Sequence, residues 1–371
     1  MKYNLADICE YVKGKVDVTI LNKDTYISTE NMIPNKGGIT SASSLPTITQ
    51  TQAFFAGDIL VSNIRPYFKK IWFAEFDGGC SNDVLVFRAK DGVNKRFLYY
   101  VLADDAFFDY AMVTSKGTKM PRGDKVAIMQ YEVPIFSYEE QKKIAGILEV
   151  IDRKIKLNME INKNLEQQAI AIFRSWFVDF EPFSNRKPSG WSMSTLGNVS
   201  IMGAGGDKPQ NVSPIKTDLY EYPIYSNGLS NEGLYGFTDK PKIFEESVTV
   251  SARGTIGCVC LRHIPYVPIV RLVTLTPKTE IISAKYLYLC LKQLHITGTG
   301  TTQQQLTVPD FQKTEILVPS QEIVTLFTAT VDPIFEKIWA NQNENEKLSS
   351  LRDTLLPKLM SGELDVSDIA L

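Results

Sequence analysis

One spacing pattern occurs twice in this chain, and it limits the fold more than any other feature. Ile144, Leu148, Ile151, Ile155, Asn158, Asn162, Leu165, Ala169 and Ile172 follow one another in alternating steps of four and three. That is the spacing of a coiled-coil seam. Moving 183 residues on gives Phe327, Val331, Ile334, Ile338, Asn341, Asn345, Leu348, Arg352 and Leu355. Seven of the nine positions are alike in character, and both asparagines recur. Arg352 is the misfit, with Leu351 or Leu355 as candidates to cover for it. Two matched seams in one chain most simply pack on each other. Asn158, Asn162, Asn341 and Asn345 lie mid-seam, so they meet their counterparts in either a parallel or an antiparallel pair. Polar seam residues weaken such an interface and are best known for fixing its register.

The repeat extends beyond the helices. "RFLYYVL" (Arg96–Leu102) matches "KYLYLCL" (Lys285–Leu291), and "GDILVSNIRP" (Gly57–Pro66) resembles "ESVTVSARGT" (Glu246–Thr255). "YEVPIF" (Tyr131–Phe136) and "EILVPS" (Glu315–Ser320) each precede a seam. The organisation read from this is an α+β chain with two similar mixed globular domains. The first covers residues 1–137, a central helix 138–177, a proline-bearing linker 178–190, the second domain 191–319, and a distal helix with its tail 320–371. Gly362 is a plausible helix stop. A helix of ~30 residues is ~45 Å long.

Composition narrows the function. The chain has 371 residues and a net charge of −2, which argues against coating nucleic acid by bulk charge while leaving local basic surfaces open. No apolar run is long enough for a membrane span and "MKYNLADICE" has no apolar signal segment, so a cytoplasmic protein is expected. Two histidines leave no multi-histidine metal site. The five cysteines form no CxxC pair, and the expectation for Cys258 and Cys260 is buried free thiols. A P-loop is absent, as is any Pro-Pro dipeptide of an amino-methyltransferase loop. "PDFQKTEIL" (Pro309–Leu317) lacks the lysine of a PD…E-x-K nuclease. No catalytic residue and no metal ligand is assigned.

"EEQKKIAGILEVIDRKI" (Glu139–Ile155), "NKNLEQQAIAIFRSWFVDFEP" (Asn162–Pro182) and "LRDTLLPKLMSGEL" (Leu351–Leu364) resemble stretches of the specificity (S) subunits of type I restriction-modification systems. The two-fold repeat and the placement of both helices resemble that family as well. The resemblance implies an antiparallel coiled coil acting as a spacer, with a target recognition domain at each end reading half of a split DNA sequence. Domains ~45 Å apart would suit DNA segments about one helical turn apart, ~34–36 Å. It further implies docking of modification (methyltransferase) subunits on the helices, with restriction subunits joining the complex. No cofactor is implied for this chain itself; S-adenosylmethionine belongs to the modification subunit, and ATP with magnesium to the restriction subunit. Two other readings remain open: a coiled-coil scaffold for proteins, and a silent or recombining copy of such a subunit.

Phosphates are met by Lys, Arg or backbone N–H groups, and bases are read by Arg, Asn or Gln. On that ground "SNIRPYFKK" offers Asn63, Arg65, Tyr67, Lys69 and Lys70, and "TSKGTKMPRGDK" offers Lys116, Lys119 and Arg122 beside Lys125. The second domain has Lys240 and Lys242, Arg253 as a loose counterpart of Arg65, and Thr299, Gln303 and Gln304 in the uncharged "GTGTTQQQL". Loop composition alone therefore predicts a steeper salt dependence for DNA binding by the first domain. Salt slopes measured on the two half-sites separately check this, and equal slopes count against it.

Overall fold

The computed structural model describes residues 2–228, 230–298 and 305–367, and it divides into two units. Unit 1 joins residues up to Asn158 with Gln342–Leu371, and unit 2 is Met159–Asn341. The boundary therefore falls inside the helices rather than at the domain ends read from the sequence. The central helix runs Tyr138–Phe177 and the distal helix Gln321–Ser361. The central helix starts in a capping box: Glu140 N–H donates to Ser137 Oγ and Ser137 N–H to Glu140 Oε2 (2.7 Å), which satisfies otherwise orphaned donors. The distal helix stops where Gly362 turns left-handed at φ 75°.

Unit 1 is built on a four-stranded antiparallel sheet in the order Cys9–Tyr11, Val84–Ala89, Ile59–Ser62, Ile71–Phe73. Successive side chains of a strand point to opposite faces, and here both faces are apolar. Ile59, Val61, Leu85 and Phe87 enter one core, and Leu60, Val84 and Val86 enter another with Phe54 and Trp72. The first core is covered by helix Lys95–Ala103, whose N-terminus is capped by Asn94. It is closed by Ile144, Ala145 and Leu148 of the central helix and Leu356, Leu359 and Met360 of the distal helix.

Unit 2 repeats this plan. Its sheet order is Ser200–Ala204, Val273–Pro277, Ser247–Val250, Val259–Arg262, again antiparallel throughout. Helix Ala284–Gln293, capped by Ser283, covers one face. Ala169, Phe173 and Phe177 of the central helix and Phe327, Val331, Phe335 and Ile338 of the distal helix complete that core. The other face differs from unit 1. There Arg262 is buried, donates to Thr249 Oγ1 (3.0 Å) and to Glu232, and lies 3.6 Å from the Tyr225 ring centroid. A polar network thus lies on this side, and the second apolar core is reduced to Ile224, Val267 and Ile269 with Val212.

The segment read as a linker, 178–190, is mostly exposed but anchored at two aromatic residues. Phe180 and Phe183 lie against Trp191 at ring-centroid distances of 6.0 and 4.9 Å. Cys258 and Cys260 are only half-buried, because their hairpin edge stays partly open to solvent.

Within each unit the helices run antiparallel. In unit 1 Asn158 donates to Asn345 Oδ1 (2.9 Å) and Glu344 Oε2 (2.8 Å), while Asn345 donates to the Ile155 carbonyl. In unit 2 Asn341 donates to Asn162 Oδ1 (2.8 Å) and Asn162 to the Ile338 carbonyl (3.2 Å). Apart from the bond to Glu344, a shift of 183 residues converts one set of bonds into the other. Arg352 needs no cover: it donates to Asp152 (3.0 Å), whose other oxygen accepts from Tyr100. Leu351 stays exposed. Among the described residues no helix is long and apolar enough to cross a membrane.

Asp152→Ala leaves the Tyr100 hydroxyl without its acceptor and Arg352 with Asp353 as its one carboxylate (3.0 Å), in a place where water reaches them poorly. Loss of a partner from a largely buried pair costs about 2–3 kcal/mol. Chemical denaturation of the full chain should show that loss, and an unchanged midpoint would remove the pair from the account of stability.

Candidate nucleic-acid interface

In unit 1 the strand Ile59–Ser62 leads into a hairpin tip that returns as Ile71–Phe73. Ser62 N–H bonds the Lys70 carbonyl (3.0 Å) and closes the loop. Inside it Arg65 and Lys69 take left-handed backbone at φ 50° and 49°, on either side of the short turn Pro66–Phe68. The second basic segment is an arch: Lys116 and Arg122 exchange both backbone hydrogen bonds (2.9 and 3.0 Å), and Gly117 at φ 92° permits the bend. The two segments meet. Arg65 N–H donates to the Pro121 carbonyl (2.8 Å), and Gly123 N–H to the Asn63 carbonyl (3.2 Å).

The side chains then fall into three groups. Asn63 is buried, with Oδ1 unpartnered beneath the arch, so it positions the loops and does not reach a base edge. Lys69, Lys70, Lys116 and Arg122 are held by neighbours: Asp105 (2.8 Å), the Thr29 carbonyl (2.6 Å), Asp124 (2.5 Å) and Asp83 (3.1 Å). The hydrogen bond from Lys116, ahead of those from Ala127 and Val126, keeps the Asp124 carboxyl below its usual range. Burial lowers the Lys70 ammonium. Tyr67 and Lys119 project into solvent, Tyr67 packed against Phe68 at 4.7 Å. Arg65 is half-buried between the loops, with Nε unpartnered.

A third segment was invisible in the sequence. Asn35 and Lys36 are consecutive left-handed residues whose N–H groups donate to the Phe68 and Lys69 carbonyls (2.8 and 2.9 Å). Lys36 shares Asp105 with Lys69 (2.9 Å). Spacing carries no hint of that convergence, because left-handed backbone at a lysine has no sequence signature.

Unit 2 has the same construction at the equivalent hairpin. Beyond strand Ser247–Val250, Gly257 N–H bonds the Ser251 carbonyl (3.0 Å) and closes the tip that carries Arg253. That tip docks on Gln305 and Leu306, just before the short helix Val308–Phe311. Leu306 N–H donates to the Ala252 carbonyl (3.0 Å), and Arg253 donates to Gln305 Oε1 (3.1 Å). Thr299, Gln303 and Gln304 lie outside the described residues. Lys240 and Lys242 are exposed at the turn after strand Leu234–Thr238, and Lys208 and Arg271 join the basic side chains that spacing did not single out.

Residues 1–167 and 188–350 each match the family described as type I restriction modification DNA specificity domain. A type I restriction enzyme MjaIX specificity subunit from Methanocaldococcus jannaschii is 29% identical over 76% of this chain and 71% of its own length. The HindI specificity subunit of Haemophilus influenzae is 27% identical over 98% of this chain and 99% of its own. In fold, the chain is similar to the crystal structure of a type I restriction-modification S subunit from M. genitalium, with TM-score 0.59 and 18% identity. That likeness covers 97% and 96% of the two chains.

The docking of tip on arch predicts a sensitive glycine. A Cβ on Gly123 would lie 2.8 Å from both Asn63 Oδ1 and Ile128 Cδ1. Gly123→Ala should lower stability by about 1–3 kcal/mol through overpacking and expose the arch to limited proteolysis. A protease map identical to that of the parent would contradict the docking.

Proposed function

The chain belongs to the type I restriction-modification DNA specificity family, with one specificity domain in each repeat, and from that premise we propose that it recognises one bipartite DNA sequence for a modification and restriction complex. Each hairpin tip, braced on the loop before its helix, reads one half. Lys119, Tyr67 and Arg65 lead in the first domain, and Arg253 with Lys240 and Lys242 in the second. The helix pair sets the length of DNA left unread and docks the modification subunits, through which restriction subunits join. Recognition rather than chemistry is this chain's part. S-adenosylmethionine then serves the modification subunit, and ATP with magnesium the restriction subunit. The cytoplasm, where bacterial and archaeal DNA lies, is its compartment.

The observation that carries this reading is the repeated construction: an exposed polar tip, a buried brace and a following helix, once in each family domain. Rigid elements that present variable loops suit recognition, because the frame stays fixed while the tips change. Phosphate contacts set orientation and the few residues at the tips supply sequence discrimination.

Co-expression with the modification subunit followed by genome-wide mapping of methylated bases should give one split motif with a single spacer length. Absence of methylation at any split motif overturns the reading. In the variant with Asn158, Asn162, Asn341 and Asn345 all changed to Leu, the helix pair should melt higher while the permitted spacer broadens. A spacer that stays fixed shows that the asparagines do not set register.

A further inference from the structure

The second unit carries a cleft that the sequence-derived residues only partly describe. Its volume is about 470 Å³, and it is walled by Ala204–Lys208 on one side and by Arg253, Val270 and Arg271 on the other. Three cations, Lys208, Arg253 and Arg271, stand against one carboxylate, Asp207. Lys242 is adjacent, since a Cβ on Gly206 would lie 3.9 Å from its Nζ.

The wall bearing Arg271 is strained. Val270 and Arg271 both have left-handed backbone, at φ 54° and 63°. This is costly for any residue with a Cβ, most of all a β-branched one, and lasts only where the surroundings impose it. Here they do. Val270 N–H donates to the Gly206 carbonyl and Arg271 N–H to the Gly205 carbonyl, both at 2.9 Å. A Cβ on Gly205 would come within 2.7 Å of the Ile269 backbone, so only glycine allows this approach. Asn227 then ties the strained turn to the hairpin tip: its Nδ2 donates to the Val270 carbonyl (2.5 Å), and its Oδ1 accepts from Ala252 N–H (2.7 Å). The turn is fastened to the residue that precedes Arg253. Val270 is half exposed on it and Arg271 is exposed, so the strain yields no core packing. What it produces is an arginine presented beside Arg253 and Lys242.

We propose that this cleft seats a backbone phosphate of the DNA half-site bound by the second unit, with Arg271 as its principal cation. The inference rests on the reading of this unit as a DNA-recognition domain and adds residues and a ligand group to it. A planar guanidinium donates two parallel hydrogen bonds to phosphate oxygens, which fixes orientation as well as charge. The uncharged loop at Gly298–Leu306 then does not leave the second unit without counterion release. The difference in salt slope expected from loop composition alone becomes smaller.

The test uses the full chain assembled with its modification subunit, with a fluorescent duplex pool of random sequence as the non-specific probe and a duplex carrying the methylated motif as the specific one. Affinity is followed from about 50 to 200 mM salt. Arg271→Ala should reduce the slope of log K against log salt by about 1 on both probes. Arg271→Gly removes the side chain and relieves the left-handed strain, so it should melt higher than the parent yet show the same reduced slope. A structural role for Arg271 would not separate stability from binding in that way. Unchanged slopes in both variants overturn the phosphate seat while leaving the recognition function standing. A loss confined to the specific duplex at constant slope also overturns it, and assigns Arg271 to a base edge. A parent complex that binds neither duplex overturns the recognition function and this inference with it.

Discussion

Each globular unit closes its core only around pieces of both long helices, and the rest of the structure depends on that closure. In unit 1 the sheet and helix Lys95–Ala103 meet Ile144 and Leu148 from the central helix and Leu356 and Leu359 from the distal one. In unit 2 the same place is filled by Phe173, Phe177, Phe327 and Val331. Two ion pairs repeat across this contact. Arg96 reaches Glu149 (3.5 Å) and Lys285 reaches Asp332 (3.0 Å), so in each unit the helix covering the sheet is tied to the long helix that follows it in sequence. Unit 1 therefore stays incomplete until its last thirty residues, Gln342–Leu371, arrive. Closing so long a loop costs only slowly more entropy as it lengthens, and the apolar area buried by Leu356, Leu359 and Met360 offsets it.

Apolar contacts do not by themselves define a register, because heptad positions repeat and a slipped pair still buries its leucines and isoleucines. The buried asparagines remove that degeneracy. Asn158 and Asn341 are each 1% exposed, where an unpaired amide costs about 1–3 kcal/mol. In the observed register each of the four finds a partner on the facing helix. One heptad of slip in one direction places all four opposite isoleucines, and in the other it places three of them opposite Leu165, Ala169 and Leu348 and Asn158 opposite Arg352. Asp152 with Arg352 adds a second cross-helix contact, since the arginine, already beside Asp353 of its own helix, meets the Asp152 carboxylate only in this alignment.

The helices were legible because their information is local. Steps of four and three and Gly362 at the distal end lie within a few residues of what they specify. The sheet-covering helices and the middle strands were legible for a related reason: each was written twice, and chance does not repeat a pattern in order. What escaped is non-local. Nothing in the seam shows that Arg352 has Asp152 and Tyr100 as its neighbours, so it looked like a flaw. Asn63 looked like a base-reading amide, but the arch that buries it begins some fifty residues later. That Phe180 and Phe183 of 178–190 lie against Trp191 is likewise a tertiary contact that linker composition does not reveal. Lys36 and Arg271 were missed because left-handed backbone on a lysine or an arginine leaves no trace in the letters.

That last omission bears on how such a protein divides stability from recognition. Of the eleven left-handed non-glycine residues among those described, six lie at or against the tips: Asn35, Lys36, Arg65 and Lys69 in unit 1 and Val270 and Arg271 in unit 2. Each costs of the order of 1–3 kcal/mol, which a small domain of marginal stability tolerates only on a well-braced frame. The frame here is the doubly covered sheet with its two helical segments. In unit 1 the strained residues also satisfy one another, since Asn35 and Lys36 donate to the carbonyls of Phe68 and Lys69. Cations held this way lose little further freedom on meeting a phosphate, so more of the contact energy appears as binding. The tips are then free to differ between the two units, one carrying Arg65, Lys69 and Lys70 and the other Arg253, while the closure beneath them stays the same.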